Sequence, residues 1–326
     1  MTQLKVRSES WPFVGTFTIS RGPKTSADVV VVELGETNVL ARGECVPYLR
    51  YGETVDGVVE TIESLRQPLA EGLDRARLQD LLPAGAARNA VDCALWDLEA
   101  KRGGSAGWQL AGLPLPRPVA TAFTLSLDSA QNMAAAALRH RHRPLLKLKL
   151  SGDGDLERVA AVRENAPDSR LILDANESWS VEMVEPYTAA LAQMGISLLE
   201  QPLPAAEDDL LGEIEHSVPI CADESCHTTI DLARLVGKYD AVNIKLDKTG
   251  GLTEALQLKK GARAAGLQVM VGCMLATSLA MAPALLLAQD ADFVDLDGAL
   301  LLARDRNPCL RFEDGLLHPP NAELWG

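Results

Sequence analysis

Two lysines separated by a single leucine raise the first question about chemistry. In "RPLLKLKLSGDGD", Arg143 to Asp155, Lys147 and Lys149 share one side of a strand-like run, with Leu146, Leu148 and Leu150 on the other. Taken alone, such a strand is half buried with its lysines in water, because lysine is rarely buried. Further charges stand at the ends of similar apolar runs. Asp174 closes "RLILD", Glu200 closes "ISLLE", Asp223 follows "PICA", Lys245 closes "AVNIK", and Asp295 and Asp297 lie in "DFVDLD".

Three carboxylates from neighbouring strands suit a hard divalent cation such as Mg²⁺, which keeps positions open for water or a substrate carboxylate. A carboxylate clasped by that cation has an acidified α-proton. Lys149 and Lys245, on opposite sides of a ring of strands, would address opposite faces of the α-carbon, one taking the proton and the other returning it. The base must be neutral, against an ordinary lysine pKa of about 10.4. Lys147, roughly 6–7 Å along the same strand face, presses toward the neutral form, as does the metal.

These residues need a scaffold that brings strand ends together. From residue 119 onward, eight short apolar runs recur at intervals of about 20–27 residues: "VATAFTL", "LLKLKL", "RLILDA", "ISLLE", "PICAD", "DAVNIK", "LQVMVG" and "DFVDLD". The intervals mostly hold alanine- and leucine-rich amphipathic segments. This alternation predicts an α/β fold, a (β/α) barrel whose active site lies at the C-terminal ends of the strands. Helices then cover the outside, so neither face of "LLKLKL" meets bulk water and its lysines must lie at the barrel mouth.

The first 115 residues read as an α+β domain. "PFVGTFTIS", "DVVVVEL" and "ARGECVPY" are strand-like; "TVDGVVETIESL" and "AARNAVDCALWDLEAKRGG" are helical, the latter capped at Gly103-Gly104. Proline punctuation in "LAGLPLPRP" predicts a boundary, giving a barrel over residues 116–308 and a tail over 309–326 that packs back on the first domain.

The chain has 326 residues, 47 % hydrophobic and 23 % charged, enough for a sizeable core. Its net charge of -14 argues against nucleic-acid and anionic-membrane partners. The N-terminus lacks a signal-peptide pattern and no apolar run is long enough to span a bilayer. Six scattered cysteines without a CxxC pair predict reduced thiols and a cytoplasmic protein. Oligomeric state is unreadable, and a homo-oligomer is allowed.

"KLKL", "DANESW", "LLEQPLP", "ADES", "VNIKLDKTGG" and "DLDG", in this order, resemble the enolase superfamily in its muconate-lactonizing subgroup. The resemblance covers essentially the whole chain and implies a capping α+β domain on a (β/α)₇β barrel. Within the subgroup the sequence is most similar to dipeptide epimerases, through "ISRGPKTSADVVVVEL", "GECVPYLRYGET", "VGCMLATSLA" and "VDLDG". It implies Asp174, Glu200 and Asp223 as Mg²⁺ ligands and Lys149 and Lys245 as the acid/base pair. It further implies Asp295 and Asp297 as holders of a dipeptide's α-ammonium, with L-Ala-D/L-Glu from peptidoglycan as substrate.

Other positions carry competing readings. Arg21 and Lys24 are either exposed loop cations or partners of the substrate's side-chain carboxylate under a closing loop. Arg50 and Tyr51 could close the same pocket, and Thr124 could donate to substrate or be structural. Asn176 and Trp179 are expected behind the metal ligands. Lys248 competes with Lys245 but falls in the "DKTGG" loop, whose glycines suggest a tight turn; His216 and His227 are expected at the surface or a helix start. The alternatives are another subgroup reaction (a cycloisomerase, an o-succinylbenzoate synthase, an N-acylamino acid racemase) or, in a different class, a non-catalytic barrel that only binds.

Overall fold

The computed structural model describes residues 2–36 and 38–326. Strands β1 (Gln3–Ile19), β2 (Gly22–Glu36) and β3 (Val39–Cys45) form an antiparallel sheet in that order. β1 starts well before the expected "PFVGTFTIS", pairing with β2 from Gln3 opposite Gly35. In "QLKVRSESW" only Leu4 and Val6 are apolar before the tryptophan, so the apolar signal there is thin while the backbone ladder is continuous.

Val29 to Val32 are all fully buried, and the pleat divides them between two cores. Val30 and Val32 pack with Leu4, Ile62 and Leu78 inside the cap. Val29 and Val31 join Phe13 and Phe17 in the core shared with the barrel. A continuous valine run is thus a strand covered on both faces.

The cap's main helices are α1 (Val55–Glu63), α2 (Arg75–Leu81) and α3 (Ala86–Gly103). The Thr54 hydroxyl caps α1 by accepting from the Gly57 N–H, and α3 ends at Gly104 with φ 66°.

The barrel strands are β4 (Phe123–Leu125), β5 (Leu145–Lys149), β6 (Arg170–Asp174), β7 (Ile196–Glu200), β8 (Ile220–Ala222), β9 (Ala241–Ile244), β10 (Gln268–Gly272) and β11 (Phe293–Asp295). They pair in parallel in chain order, and the Ala122 N–H donates to Val294 O at 2.8 Å to close the ring. Helices α4 (Ala130–His140), α5 (Asp155–Asn165), α6 (Val181–Gln193), α7 (Leu252–Ala264) and α8 (Ser278–Leu287) cover it. The expected alternation fails after β7 and β8. A 3₁₀ turn at Asp208–Glu213 and a four-residue helix at Leu232–Leu235 stand there instead, the first within a segment broken by Pro202, Pro204 and Gly212.

The interior is layered. Ala122, Leu145, Ile172, Leu198, Cys221, Ala241, Met270 and Phe293, one from each strand or the residue before it, form an apolar plug. The period of two then places Lys147 and Lys149 above Leu145, Asp174 above Ile172, Glu200 above Leu198 and Asp223 above Cys221. Asn243 and Lys245 stand above Ala241, and Asp295 above Phe293. Leu146, Leu148 and Leu150 face the helices. The sequence expectation put both lysines at the mouth, but Lys147 is only 1 % exposed and lies a layer beneath it.

Helix α3 docks on the segment that follows β9. Asp247 Oδ1 accepts from the Asn89 Nδ2 at 2.8 Å and the Val46 N–H at 2.9 Å. Arg88 donates to Thr249 O at 2.7 Å and Gly250 O at 3.1 Å. A Cβ on Gly250 would lie 2.4 Å from Arg88 Nε, and one on Gly251 2.4 Å from Asp92. With φ 72° and 112°, this pair makes the expected turn and also lets the cap approach.

Near the C-terminus, Leu316–Leu317 pairs with Phe312–Glu313 and with Val119–Ala120. Trp325 Nε1 donates to Cys93 O at 2.9 Å and the Gly326 N–H to Asp97 at 2.7 Å. No described helix is long and apolar enough to cross a membrane.

Candidate active site

A cavity of about 520 Å³ lies between the cap and the charged end of the barrel, within the range of small-ligand sites. Its floor includes Lys147, Lys149, Asp223, Lys245, Asp295 and Asp297, and its cap side includes Ile19, Arg21, Lys24 and Tyr51. β5 and β9 are four strands apart in a ring of eight, so Lys149 and Lys245 enter from opposite sides. Lys149 Nζ sits 2.5 Å from Asp174 Oδ2, and Lys245 Nζ 2.6 Å from Asp223 Oδ2 and 3.8 Å from Glu200 Oε1.

Lys147 is surrounded by acids: Glu200 at 2.6 Å, Asp295 at 2.7 Å and Asp174 at 3.1 Å. Burial opposes its charge, but Asp174, Asp295 and Glu200 together hold its pKa well above the ordinary value. It is a fixed cation, and its nitrogen shares Asp174 Oδ2 with Lys149.

Asp174 pairs with Glu200 across the β6–β7 ladder, and Asp223 follows β8 on the next strand. Burial pushes the Glu200 carboxyl up to about 7, reinforced by Asp174 and Asp223 against Lys147 and Lys245. The Asp223 carboxyl is held well below its usual range, burial being outweighed by Lys245 and Lys248. Among the described residues no three carboxyl, imidazole or thiol groups are drawn into one finished cage; each of these carboxylates instead carries an ammonium. Three buried oxygen donors on adjacent strands that repel one another are a set that a divalent cation fits. The Asn243 Nδ2 orients Glu200 at 2.7 Å, and a Cβ on Gly272 would lie 2.6 Å from Asn243, so that glycine makes the room.

Across the floor, Asp297 Oδ2 accepts from the Thr124 N–H at 2.6 Å. Thr124 thus meets this acid through its backbone as well as lining the cavity. Burial, then Asp295, pushes the Asp297 carboxyl up to about 7. Asp295 gives one oxygen to Lys147, and its Oδ1 is buried without a hydrogen-bond partner.

Several expected residues fall elsewhere. Lys248 is not in a loop but in a short helix, Leu246–Thr249, and is 1 % exposed. Its ammonium donates to Asp223 Oδ1 at 2.6 Å, Asp223 O at 2.5 Å and Asn243 O at 2.9 Å, all behind the cavity wall. Trp179 donates to Asp155 at 2.8 Å, tying the loop after β6 to the start of α5 rather than backing the metal ligands. Arg50 lies off the cavity wall, in a two-pronged pair with Glu177 at 2.8 Å on each prong. Tyr51 lines the cavity and packs edge-on against His227, ring centroids 4.6 Å apart. The Asn176 N–H donates to Asp174 Oδ1 at 3.0 Å, and its side chain lines the cavity. Sequence reading passed over Glu224, which lines the cavity beside Asp223; the quoted "ADES" contains it.

Paired amines facing each other over clustered carboxylates, beneath a lid, define an enzyme class: barrels that move a proton on and off a carbon acid. Residues 1–112 match the mandelate racemase / muconate lactonizing enzyme N-terminal domain, and residues 128–323 the enolase C-terminal domain-like family. The chain belongs to the enolase superfamily, in its mandelate racemase and muconate lactonizing branch.

Over 320 residues it is 49 % identical to the L-Ala-D/L-Glu epimerase of Escherichia coli K12, covering 98 % of this chain and 100 % of that one. An N-acetyl-D-glutamate racemase from Pseudoalteromonas is 42 % identical, with 91 % and 95 % covered. An Agrobacterium tumefaciens enolase family member with homology to dipeptide epimerases, bound to sodium and L-Ala-L-Glu with an ordered loop, superposes with TM-score 0.98 at 52 % identity over 100 % of both chains. The Enterococcus faecalis dipeptide epimerase complexed with Mg and L-Leu-L-Tyr superposes with TM-score 0.90 at 32 % identity, over 98 % and 96 %.

Proposed function

We propose that the chain is a Mg²⁺-dependent dipeptide epimerase acting on L-Ala-D/L-Glu at the α-carbon of the second residue. The observation that carries this is Lys149 and Lys245 confronting each other across one cavity whose floor also offers the Asp295/Asp297 pair. The isomerase class and the metal agree with the relatives, which are epimerases and racemases, one crystallised with Mg and a dipeptide. Asp174, Glu200 and Asp223 would hold the cation, which would supply Lewis acidity toward the proton next to the substrate carboxylate.

In our reading the chain's own residues do the rest. One lysine, neutral, takes the α-proton; the opposite ammonium delivers a proton to the other face, and configuration inverts. Lys147, between three acids, is the fixed positive charge beneath the catalytic pair. Asp295 Oδ1 and Asp297 hold the dipeptide ammonium, with Thr124 orienting Asp297. Lys24 meets the glutamate side chain from the cap, and Asn176 steadies Asp174. We take the chain as a cap over 1–115 with its tail at 309–326, a barrel over 116–308, and a cytoplasmic protein using dipeptides freed from peptidoglycan. Its six free cysteines and the tail's bonds to Cys93 and Asp97 support this.

A second reading, racemisation of an N-acylated glutamate, is favoured by the Pseudoalteromonas relative. Such a substrate has no ammonium for Asp295 and Asp297. The deciding experiment supplies L-Ala-L-Glu and N-acetyl-L-glutamate separately with Mg²⁺ in D₂O. Deuterium uptake and inversion of the dipeptide, at a kcat/KM well above that for the N-acyl compound, are expected. The reverse order, or no exchange on any of the twenty L-Ala-L-Xaa dipeptides, overturns the assignment.

A further inference from the structure

We propose that Arg21 is a positioning residue that clasps the β1–β2 turn of the cap onto the barrel loops after β6 and β8, seating Ile19 and Lys24 in the cavity wall without binding substrate itself. This deepens the dipeptide reading and rests on it only for the choice of assay substrates.

The turn reaches over the barrel mouth, and the protein occupies the guanidinium's donors. Nη1 donates to Asn176 O at 3.2 Å and faces Glu177 Oε2 at 3.4 Å; Nη2 donates to Tyr48 OH at 3.1 Å and Glu224 Oε1 at 2.9 Å. The Ser20 hydroxyl adds a bond to the same Asn176 O at 3.1 Å. With both terminal nitrogens engaged, no two-pronged fork remains for a substrate carboxylate. Lys24 differs: it forms no ion pair among the described residues, overlying only the Tyr48 ring at 5.1 Å.

The barrel side of the clasp is itself held in place. Asn176 and Glu177 have φ 46° and 65°, a left-handed conformation that asparagine tolerates and that glutamate rarely keeps unless its surroundings hold it there. Glu177 is fixed there by Arg50 and by the Ala205 N–H at 2.9 Å. The residues that receive Arg21 in these two loops lie within three positions of Asp174 and Asp223, so lid and floor share one frame.

A clasp and a ligand fail differently. Losing a substrate ligand hurts acidic substrates selectively; losing a clasp loosens the lid for every substrate. The test compares Arg21→Met, Glu177→Gln and Lys24→Met. It measures hydrogen exchange of residues 19–25 in the metal-loaded enzyme, and kcat and KM for L-Ala-L-Glu and L-Ala-L-Gln. Arg21→Met and Glu177→Gln should each speed exchange of the turn by about tenfold, the size of losing a charged hydrogen bond. They should raise KM by a similar factor for both dipeptides, with kcat within about threefold. Lys24→Met should raise KM for L-Ala-L-Glu alone.

A KM defect of Arg21→Met confined to L-Ala-L-Glu, unchanged exchange of the turn, or a wild-type Glu177→Gln overturns the clasp. Should Arg21→Met not fold, Glu177→Gln and Arg50→Lys carry the same comparison. If no dipeptide is turned over, the proposed reaction has failed, and the exchange measurement alone decides the clasp.

Discussion

Lys245 and Lys248 both reach Asp223, yet their surroundings assign them opposite consequences on removal. The Lys248 ammonium satisfies Asp223 Oδ1, Asp223 O and Asn243 O in a pocket closed to solvent. Lys248→Met strips Asp223 Oδ1 and Asn243 O of this donor, leaves Asp223 O with only the Cys226 N–H at 3.1 Å, and leaves no water to replace it. Breaking a buried pair in this way costs about 3–5 kcal/mol, or on the order of 10 °C in the melting temperature of a chain this large.

Lys245 opens onto the cavity, so in Lys245→Met water can solvate the freed oxygen of Asp223, which keeps Lys248. A stability loss of roughly 1 kcal/mol is expected, together with a loss of about 10²–10⁴ in α-proton exchange, the range for a positioned acid or base. Calorimetry of both variants, with deuterium exchange starting from each epimer of the dipeptide, makes the comparison. A Lys248→Met protein that melts like wild type but exchanges no proton would refute the reasoning and move the chemistry to Lys248.

Three further outcomes follow from described contacts. Burial, with Glu53 and Glu44 adding to it, pushes the Asp247 carboxyl up to about 7. The folded state then binds this proton more tightly than the unfolded one, so the group's contribution falls as pH rises from about 4 to 7, by up to about 1.4 kcal/mol per unit. Asp247→Asn, which keeps an acceptor for the Asn89 amide, should flatten the stability–pH curve over that window in urea titrations; an unchanged slope contradicts the assignment. Mg²⁺ at a hundred times its dissociation constant should stabilise the fold by about 2.7 kcal/mol, a gain lost in Asp174→Asn and read by calorimetry with and without chelator. Gly251→Ala forces a Cβ against Asp92 at φ 112° and should destabilise by about 2–4 kcal/mol; a variant unfolding at the wild-type urea midpoint would show that the cap does not press on this turn.

Much of the barrel was legible because its strands are buried on both sides and so read as dense apolar runs. The charged residues stood out against those runs at or just past each strand's end. The pleat accounts for their direction: a residue two beyond an inward apolar one also faces in, so Asp174, Glu200 and Asp223, picked out at the strand ends, share the inner face. What stayed hidden depends on contacts between distant segments. Lys147 could be placed on the right face but not at its depth, since nothing local says where the apolar plug ends. Lys248 read as a loop residue because burial behind Asp223 is made by tertiary packing. Arg21 read as a loop cation or a substrate partner and Arg50 as a candidate to close the pocket, because their protein partners, Glu177 and Glu224, lie more than a hundred residues away. The start of β1 was missed for want of apolar side chains, its pairing being carried by backbone groups that no residue type announces.

The seat of α3 on the segment after β9 has a bearing on recombination among relatives. A chimera that joins this cap to a foreign barrel inherits one half of a lock whose other half is residues 247–253. Asn89, Arg88 and Asp92 would then face side chains and a backbone they were never shaped to meet, and the segment they press against follows directly on Lys245. Exchanging caps between such enzymes therefore calls for moving both patches together, or the graft will carry a displaced amine into an otherwise intact barrel.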